Sequence, residues 1–368
     1  MKEVRIKDIC DKGSSSLKQK DVEGNDGKYP VYGASGIIGK INTYHQEKEY
    51  IAIVKDGSGI GRVTFMPAYS SIIGTLQYIL PKEGYNIKYI SYCLQSLDLA
   101  KYKQGAAIPH IYFRDYGEYL VKVTDDLSEQ ERIVSYLDAE FAKIDALKAN
   151  IEQQLQASKD LFQSALKEML TPKEGWEEKK LGEICEIARG GSPRPIKDYI
   201  TNAPNSVNWI KIGDTDPAGK YIYETKEKIK PEGIKKSRWV EKNDFILSNS
   251  MSFGRPYILK TNGCIHDGWL VLRNYNKDLY IDFFYYVLTS PDIQHQFTIK
   301  AQGSTVSNLN TDRVASVSIS FPSLPEQERI ADLLDSLSDK VKALQENYNK
   351  ALVLCNDLKQ SLLKSIFE

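Results

Sequence analysis

The sequence predicts an α+β or α/β protein with two small globular domains and two long helices, packed as an antiparallel coiled coil in a pseudo-two-fold arrangement. Three observations predict this architecture. The segment Leu127-Ser-Glu-Gln-Glu-Arg-Ile133 recurs almost unchanged as Leu324-Pro-Glu-Gln-Glu-Arg-Ile330. Each copy begins a stretch of apolar residues with helical spacing. The regions before both copies contain short β-prone runs separated by loops of Gly, Asn, Ser and Pro.

The repeat extends along both predicted helices. Leu137-Asp138 matches Leu334-Asp335 at the same distance from the opening segment. Further matches follow in the same register: Ala146-Leu147 with Ala343-Leu344, Asn150 with Asn347, Asp160-Leu161 with Asp357-Leu358, Gln163-Ser164 with Gln360-Ser361, and Leu166-Lys167 with Leu363-Lys364. Self-similarity at one period indicates a duplicated structural unit, and a chain of 368 residues is long enough for two domains.

The second copy has the pattern of a coiled-coil seam. Its apolar positions alternate spacings of four and three residues: Ile330, Leu334, Leu337, Val341, Leu344, Tyr348, Ala351, Cys355, Leu358 and Leu362. The first copy keeps the same frame at Ile133, Leu137, Ile144, Leu147, Ile151, Leu161 and Ala165. Its remaining seam positions are polar: Glu140, Gln154 and Ser158. The first seam is therefore the less regular one.

Start and stop signals delimit the two helices. Ser128 with Glu131, and Ser323 with Glu326, have the spacing of a capping box, and Pro172 ends the first helix. Each helix is then about 40 residues, or ~60 Å, long. Two matching helices in one chain favour packing on each other. An oligomerisation coiled coil is the alternative.

The regions outside the helices have the composition of small α/β domains. Residues 50–54, 77–80 and 270–272 are predicted strands. Residues 87–94 and 281–288 resemble each other and are predicted short helices. The predicted limits are 1–126 for the first globular domain, 127–171 for the central helix, 172–323 for the second globular domain, and 324–368 for the C-terminal helix.

Composition restricts the class of function. The formal net charge is zero, so binding to nucleic acid has to come from local basic patches. The five cysteines are scattered singly, which argues against a disulfide framework or a structural zinc site and favours a reducing compartment. No window approaches the ~18 apolar residues that a membrane span requires. We therefore expect a cytoplasmic protein.

Glycine-rich and basic loops are the candidate nucleic-acid-binding segments, because a few side chains discriminate bases while backbone contacts set the register. Loops 55–62 and 248–255 occupy comparable places in the two domains. The candidate residues are Lys55, Ser58, Arg62, Gly105 and His110 in the first domain, and Arg189, Ser192, Arg194, Lys197, Asn249, Ser250, Ser252, Arg255, Ser304, Thr305 and Asn308 in the second. A basic cluster at Lys235, Lys236 and Arg238 adds to them. For any single residue, a polar turn without a ligand is the alternative.

Signatures of catalysis are absent from the sequence. Residues 33–41 approximate a phosphate-binding loop, but the glycine spacing is wrong and no Ser or Thr follows Lys40. The glycines of residues 57–61 lack the spacing of a dinucleotide-binding fingerprint. His266 and Asp267 are adjacent, but no nucleophile with a defined spacing accompanies them. We predict no catalytic residue, no metal site and no bound cofactor in this chain.

The order of domain, helix, domain and helix resembles the specificity subunit of type I restriction-modification enzymes over nearly the whole chain. The two Leu-x-Glu-Gln-Glu-Arg-Ile segments are the most specific part of the resemblance, followed by Gly190-Gly-Ser-Pro193 and Tyr29-Pro-Val-Tyr-Gly-Ala-Ser-Gly36. The resemblance implies that each globular domain is a target-recognition domain that reads one half of a split DNA target. It also implies that the helices separate these domains and dock methyltransferase subunits.

The resemblance assigns the chemistry to partner subunits. It implies two methyltransferase (M) subunits that methylate adenine from S-adenosylmethionine, and restriction and motor (R) subunits that use ATP and Mg²⁺. This chain is then a non-catalytic subunit that binds double-stranded DNA. Two alternatives stay open: a specificity subunit of a fused methyltransferase-nuclease system, and a coiled-coil adaptor without DNA specificity.

Overall fold

The structure, a computed structural model, describes residues 1–105, 108–216, 219–249, 253–275, 277–301 and 309–368. The chain forms two compact units. Unit 1 comprises Met1–Gln154 together with Asn347–Glu368, and unit 2 comprises Leu155–Glu346. Each unit therefore combines one globular part with segments of both long helices.

Unit 1 begins with short strands and helices and then enters a long helix. Its strands are β1 (Lys2–Arg5), β2 (Cys10–Ser14), β3 (Tyr29–Gly33), β4 (Gly36–Ile41), β5 (Tyr50–Val54), β6 (Val63–Met66), β7 (Ser71–Ile72), β8 (Leu76–Pro81) and β9 (Leu120–Val123). Its helices are α1 (Ile6–Ile9), α2 (Ile87–Gln95), α3 (Phe113–Tyr116) and the first part of α4 (Leu127–Leu170), with 3-10 turns at Gln19–Asp21 and Leu99–Tyr102.

The core of unit 1 lies on both faces of an antiparallel sheet with the strand order β2-β8-β5-β6. Side chains alternate along β5, so Ile51 and Ile53 pack with α2, whereas Tyr50 and Val54 pack on the opposite face. A smaller sheet, β4-β3-β7, covers that second face. Strand β5 is buried along its whole length, which explains its uninterrupted apolar sequence.

Unit 2 follows the same plan with more strands. Its strands are β10 (Glu177–Lys180), β11 (Glu186–Arg189), β12 (Val207–Ile210), β13 (Tyr221–Ile222), β14 (Glu227–Ile229), β15 (Arg238–Val240), β16 (Phe245–Ser248), β17 (Pro256–Leu259), β18 (Gly263–Ile265), β19 (Trp269–Arg273) and β20 (Ser318–Phe321). Its helices are α5 (Leu181–Ile184), α6 (Ile281–Thr289), α7 (Pro291–Ala301), α8 (Thr311–Ala315) and the first part of α9 (Leu324–Phe367), with 3-10 turns at Ile196–Asp198, Ile212–Asp214 and Pro231–Lys236.

The main sheet of unit 2 has the strand order β11-β19-β16-β17-β13, and a second sheet has the order β14-β12-β18-β15. Phe245 and Leu272 pack with helix α6 on one face of the main sheet. Ile246 and Val271 pack on the other face, with Ile265 of the second sheet. The strands predicted at 50–54, 77–80 and 270–272, and the helices predicted at 87–94 and 281–288, are all confirmed.

The two long helices begin in one unit and end in the other. Within unit 1, the α4 and α9 segments run antiparallel, since Lys359 Nζ lies 2.6 Å from Asp145 Oδ1 and Lys148 Nζ lies 3.0 Å from Asn356 Oδ1. Phe367, at the end of α9, packs in the core of unit 1. In unit 2, Leu166 near the end of α4 packs in the core in the corresponding way.

The predicted coiled-coil seam is only partly buried. Ile144, Ile151 and Cys355 form a buried cluster in unit 1, as the seam predicts. However, four predicted seam residues are exposed: Leu147, Leu161, Leu344 and Leu358. The prediction was wrong for these four positions, which no neighbouring side chain in the described part of the chain fully covers, although Ile144 and Ile151, the seam residues on either side of Leu147, are buried.

The start of α4 also differs from the prediction. The helix begins at Leu127, before Ser128, so Ser128 does not cap it. Asp126 takes that place, because its carboxylate accepts a hydrogen bond of 3.0 Å from the Ser128 backbone N–H. At α9, Ser323 does precede the first helical residue, and its carbonyl accepts from the Glu326 N–H. Helix α4 ends at Leu170, where Pro172 predicts its end.

A buried glutamine near the start of each long helix connects that helix to its globular part. In unit 2, Gln327 accepts a hydrogen bond of 2.9 Å from the Tyr280 N–H and donates to the carbonyls of Asp278 and Pro322. In unit 1, Gln130 accepts from the Asn86 N–H and donates to two carbonyls: those of Gly84 and Thr124. Both side chains are fully buried. The glutamine of the repeated segment is therefore a structural residue.

All five cysteines are free and buried. Among the described helices, none has an apolar stretch long enough to cross a membrane.

We expect the substitution Gln327→Leu to destabilise unit 2 by about 2–4 kcal/mol, because it removes three hydrogen bonds between a buried amide and the backbone of the globular part. Tryptophan fluorescence during urea denaturation reports on this unit selectively, since all four tryptophans lie in it: Trp176, Trp209, Trp239 and Trp269. The exposed neighbour Glu328 supplies the control Glu328→Gln, which should leave the transition unchanged. An unshifted transition in Gln327→Leu would contradict a structural role for the amide.

Candidate nucleic-acid interface

In unit 1, the predicted loop 55–62 is held in a fixed conformation by backbone hydrogen bonds. The Gly61 N–H donates to the Val54 carbonyl at 2.8 Å, and the Gly57 N–H donates to the Pro109 carbonyl at 2.9 Å. Both glycines have a φ of 82°, in the left-handed region that glycine adopts without strain. A side chain at Gly61 would also come within 2.7 Å of the Ala100 nitrogen. This geometry explains why the loop is rich in glycine.

Asp56 connects this loop to the segment around His110. His110 Nδ1 lies 2.7 Å from Asp56 Oδ1, and the Lys55 ammonium pairs with the other carboxylate oxygen. Partial burial works to raise the pKa of Asp56, but the hydrogen bonds from His110 and Lys55 outweigh it and hold the pKa below its ordinary value. Asp56 is therefore a carboxylate that orients two predicted DNA-binding residues.

The remaining candidates of unit 1 lie on the two loops that Asp56 and His110 connect. Ser58 and Gly105 are exposed on the two connected loops. Arg62 is exposed and donates a hydrogen bond of 2.8 Å to the Ala34 carbonyl, which directs its guanidinium toward the neighbouring β3–β4 turn. The His110 ring stacks on Tyr112. Unit 1 thus presents cationic, hydroxyl and aromatic groups on one pair of loops.

In unit 2, the Gly190–Gly191 pair lies directly against the turn between β18 and β19. The Gly190 N–H donates to the Trp269 carbonyl at 2.9 Å, and the Gly191 N–H donates to the Ile265 carbonyl at 3.1 Å. A side chain at Gly190 would lie 2.1 Å from the His266 carbonyl oxygen, so glycine is required there. The two glycines direct the following segment, residues 192–197, across the turn that holds Asp267.

Asp267 gathers four of the predicted residues in unit 2. Its carboxylate accepts a hydrogen bond of 2.8 Å from Ser192 Oγ and a contact of 3.4 Å from Arg194. Its carbonyl accepts from Arg189 at 3.2 Å and from Asn249 at 2.8 Å. The hydrogen bond from Ser192, followed by the nearby charges, lowers the pKa of Asp267. This residue therefore has the same organising role in unit 2 that Asp56 has in unit 1.

A surface pocket of about 1040 Å³ adjoins Asp267. Lys197 lines it, together with Lys211, whose ammonium pairs with Glu227 at 2.5 Å. His266 also lines it, and its Nδ1 accepts a hydrogen bond of 2.8 Å from the Gly268 N–H. Burial lowers the pKa of His266 below its ordinary value, although the neighbouring Asp267 partly opposes this effect.

Other predicted residues lie apart from this pocket. Asn249 is only 1% exposed, so it would have to leave its hydrogen bond with Asp267 to contact a base. Arg255 lines a different pocket and stacks on Tyr257 with 5.4 Å between the guanidinium carbon and the ring centroid. Five candidates lie outside the described residues: Ser250, Ser252, Ser304, Thr305 and Asn308.

Sequence reasoning missed the two organising carboxylates and the residues beside them. Asp56 lies inside the predicted loop, and its position next to Lys55 was the available signal. Asp267 follows His266, and such an adjacent pair suggests acid–base chemistry, not a binding role. Tyr112 and Arg114 also escaped prediction, although Arg114 stacks on Tyr112 at 4.8 Å. Nothing in their local sequence indicates an exposed cation–aromatic pair.

The chemistry available at both sites is binding. Lysine, arginine and hydroxyl groups can contact phosphates and base edges, and the carboxylates fix the positions of these groups. Among the described residues, no group of three or more His, Cys, Asp or Glu side chains is placed to hold a metal ion. The DNA contacts of the individual residues stay predictions.

Comparison with known proteins defines the class to which this fold belongs. The family model for the type I restriction modification DNA specificity domain matches residues 1–157 and again residues 173–352. The chain therefore belongs to the type I restriction-modification DNA specificity family, whose members are the non-catalytic specificity subunits of these systems. This result confirms the resemblance that the repeated helix segments predict.

Individual relatives share this assignment at low identity. The chain is similar to the specificity subunit of the type I restriction enzyme EcoDI from Escherichia coli, with 22% identity over 93% of this chain and 82% of that protein. It is also similar to the putative specificity subunit S.HindORF215P from Haemophilus influenzae, with 24% identity over 89% of this chain and 84% of that protein.

Solved structures support the fold. A chain from a structural study of complex assembly and conformational transition in the type I R-M system has a TM-score of 0.75, 18% identity, and coverage of 98% of this chain and 96% of that one. The HsdS subunit from Thermoanaerobacter tengcongensis has a TM-score of 0.55, 18% identity, and coverage of 98% and 95%. The predicted architecture of repeated α+β domains with long helices is thus confirmed.

We expect acid to destabilise unit 2 in part through His266. Because the pKa of His266 is lowered in the folded protein, the unfolded chain binds a proton at a higher pH than the folded chain does. This contribution to stability is complete above the unfolded pKa of about 6.5 and is lost as the pH falls from there toward the folded pKa.

The variant His266→Asn tests this expectation, since Asn keeps an acceptor near the Nδ1 position but does not titrate. Urea unfolding followed by tryptophan fluorescence would give the free energy of unfolding of both proteins from about pH 7.5 to about pH 5. The stability advantage of the wild type over the variant should decrease as the pH falls. An advantage that is independent of pH would contradict the expectation.

Proposed function

We propose that this chain is the DNA-reading subunit of a type I restriction-modification complex, in which residues 1–126 and 172–323 each recognise one half of a bipartite target in double-stranded DNA. The observation that carries the proposal is that each unit has a site made of the same kinds of group: glycines in a tight backbone path, exposed cations and one organising carboxylate. Asp56 organises the first site and Asp267 the second.

The two sites share a plan but differ in their side chains. The carboxylate of unit 1 holds a histidine and a lysine, whereas that of unit 2 holds a serine and an arginine. Base identity is read by a few such side chains, so different sites are expected to read different half-sites. Unit 2 adds exposed cations near its site: Arg189, Lys197, Lys235, Lys236 and Arg238. These local charges supply phosphate contacts in a chain with no net charge.

The exposed faces of the long helices suit a partner that binds twice. Leu147 in unit 1 is 51% exposed, and its repeat equivalent Leu344 in unit 2 is 40% exposed. Further equivalent pairs are exposed in the same way: Leu127 with Leu324, Tyr136 with Leu333, and Leu358 with Leu161. Scattered apolar side chains are common on surfaces, but here the same positions recur in both units.

The two long helices also carry an equivalent ion pair. Arg132 pairs with Glu129 at 2.7 Å, and Arg329 pairs with Glu326 at 2.6 Å. Each unit therefore offers the same combination of one ion pair and several exposed apolar side chains. We assign these faces to two methyltransferase (M) subunits, with restriction and motor (R) subunits joining that core in the cytoplasm. S-adenosylmethionine, ATP and Mg²⁺ would be bound by those partners, and the helices would set the spacing between the half-sites.

A pair of matched substitutions tests the recognition proposal. We expect Asp267→Asn to relax base selectivity in one half-site by about tenfold, because it releases Arg194 while preserving the shape of the side chain. Asp56→Asn should relax the other half-site instead. Each variant would be expressed with the cognate methyltransferase, and methylated adenines would be mapped across the genome. Relaxation of the same half-site by both variants would contradict the proposal, and a wild-type complex without a bipartite methylation pattern would favour an adaptor without DNA specificity.

The docking faces lead to a separate expectation. Leu147→Glu and Leu344→Glu should each reduce the number of bound methyltransferase subunits from two to one, and the double variant should bind none, because a charge at the centre of an apolar contact is costly to bury. Native mass spectrometry of the purified complex measures this directly. Leu354, which is exposed and has Ala157 as its repeat equivalent, supplies the control Leu354→Glu. Full occupancy in both single variants would contradict the assignment of these faces.

A further inference from the structure

Lys220 lies at the centre of a charged cluster in unit 2. It immediately precedes the edge strand β13, and its side chain is only 10% exposed. Its ammonium lies 2.6 Å from Asp282 on α6 and 3.0 Å from Asp335 on α9. No other described residue of the chain forms an ion pair with either carboxylate. One cation therefore connects three elements of unit 2.

Tyrosine side chains complete the cluster. Tyr221 donates a hydrogen bond of 3.1 Å to Asp282, and Tyr286 donates one to Asp335. The Lys220 ammonium lies 4.8 Å from the ring centroid of Tyr286 and 5.1 Å from that of Tyr285. Burial, together with the hydrogen bond to Asp335, raises the pKa of Tyr286, so this residue stays a neutral donor. The ammonium is the one group of the cluster that balances two carboxylates.

In unit 1, the equivalent aspartate pairs with a cation from a different element. Asp138 is the repeat equivalent of Asp335, and Tyr92 donates to it as Tyr286 does to Asp335. Its cation is Lys88 on helix α2, 2.9 Å away. Lys88 corresponds to Asp282 in the matched helices, so the charge at this helix position is reversed in unit 2.

Because of this reversal, the cation that pairs with the aspartate of the long helix comes from a short helix in unit 1 and from the edge of the main sheet in unit 2. In unit 1, the lysine and the aspartate both belong to helices, α2 and α4, whose counterparts in unit 2 are α6 and α9. In unit 2, the lysine comes from the main sheet, whose edge strand β13 pairs with β17 through Tyr221 and Ile258. The Lys220 carbonyl also accepts a hydrogen bond of 3.0 Å from the Ile258 N–H. The ion pairs of Lys220 thus attach the edge of this sheet to α6 and α9.

We infer that Lys220 is a positioning residue for one recognition domain: it fixes the β13 edge of the main sheet of unit 2 on α6 and α9 and thereby aligns the Asp267 site with its half-site. The same sheet carries this site, since Arg189 ends β11 and Trp269, which begins β19, accepts from Gly190. A sheet that rotates on its helices displaces base-reading side chains, and discrimination in the grooves depends on their placement. The inference rests on the proposed function and identifies a residue of unit 2 on which the base selectivity of one half-site depends.

The chain itself supplies a rescue experiment. Lys220→Met removes the ammonium but keeps most of the stem, and leaves Asp282 and Asp335 without a cation. The double variant Lys220→Met with Asp282→Lys places a lysine where Lys88 stands in unit 1, so it restores a cation for Asp335 from the helix. The ion pairs between the β13 edge of the main sheet and the two helices are then still absent, but Asp335 again has a cation beside it. Comparison of the single and double variants therefore separates the effect of unbalanced charge from the effect of losing the ion pairs at the sheet edge.

Each variant would be produced alone and with the cognate methyltransferase, and two quantities would be measured. Tryptophan fluorescence of the full chain purified alone reports folding of unit 2, and mapping of methylated adenines by the complex reports the selectivity of each half-site. We expect Lys220→Met to relax, by about tenfold, the half-site that Asp267→Asn also relaxes, and to leave the other half-site unchanged. The double variant should recover the stability of unit 2 while its half-site stays relaxed. Lys220→Arg, which keeps a cation on the sheet, should recover both stability and selectivity.

The outcomes are distinct. Unchanged selectivity in a Lys220→Met complex that binds and methylates DNA would overturn the inference, as would full recovery of selectivity in the double variant. If Lys220→Met fails to fold, the double variant and Lys220→Arg still decide the question. A wild-type complex that shows no bipartite methylation would instead remove the proposed function itself.

Discussion

The arrangement of each unit depends on one buried amide. Gln130 and Gln327 each make three hydrogen bonds to backbone groups of the globular part, and no water is needed to satisfy them. These bonds fix the direction in which the long helix leaves and the face that it turns outward. Because backbone geometry is what the amide recognises, the surrounding side chains can diverge without disturbing the joint. This explains how two globular parts with different loops share the same helix start.

The repeat made much of the fold predictable from sequence. A duplicated segment identified both long helices, and the matched short helices α2 and α6 followed from local periodicity. The seam was predicted less well, because an apolar residue reveals its preference for burial but not whether a neighbour is present to cover it. Leu147 and Leu344 have seam spacing and are nevertheless exposed. The cap of α4 was predicted wrongly for a similar reason, since Asp126 and Ser128 are both suitable caps and only the path of the backbone decides between them.

The candidate sites were predictable where the signal is local. Glycine-rich loops with flanking cations can be found from sequence, whereas Asp267 cannot, because its partners Ser192 and Asn249 reach it only through folding. Lys220 was hidden for the same reason. Its role follows from a reversed charge at Asp282 that has meaning only when both units are compared in three dimensions. Long-range electrostatic compensation of this kind leaves no periodic pattern in a chain.

Unit 1 is formed by two stretches of the chain that are far apart in sequence, and this has a consequence for its synthesis. Leu363 and Phe367 belong to its hydrophobic core, yet the ribosome makes them only after the whole of unit 2. Until then, the nascent amino-terminal part lacks the carboxyl-terminal side chains that pack beside Tyr89 in the folded unit. Premature termination near the carboxyl end would therefore damage the part of the protein that is synthesised first. Chaperones that shield apolar surface on ribosome-bound chains would cover the side chains that later pack against Leu363 and Phe367.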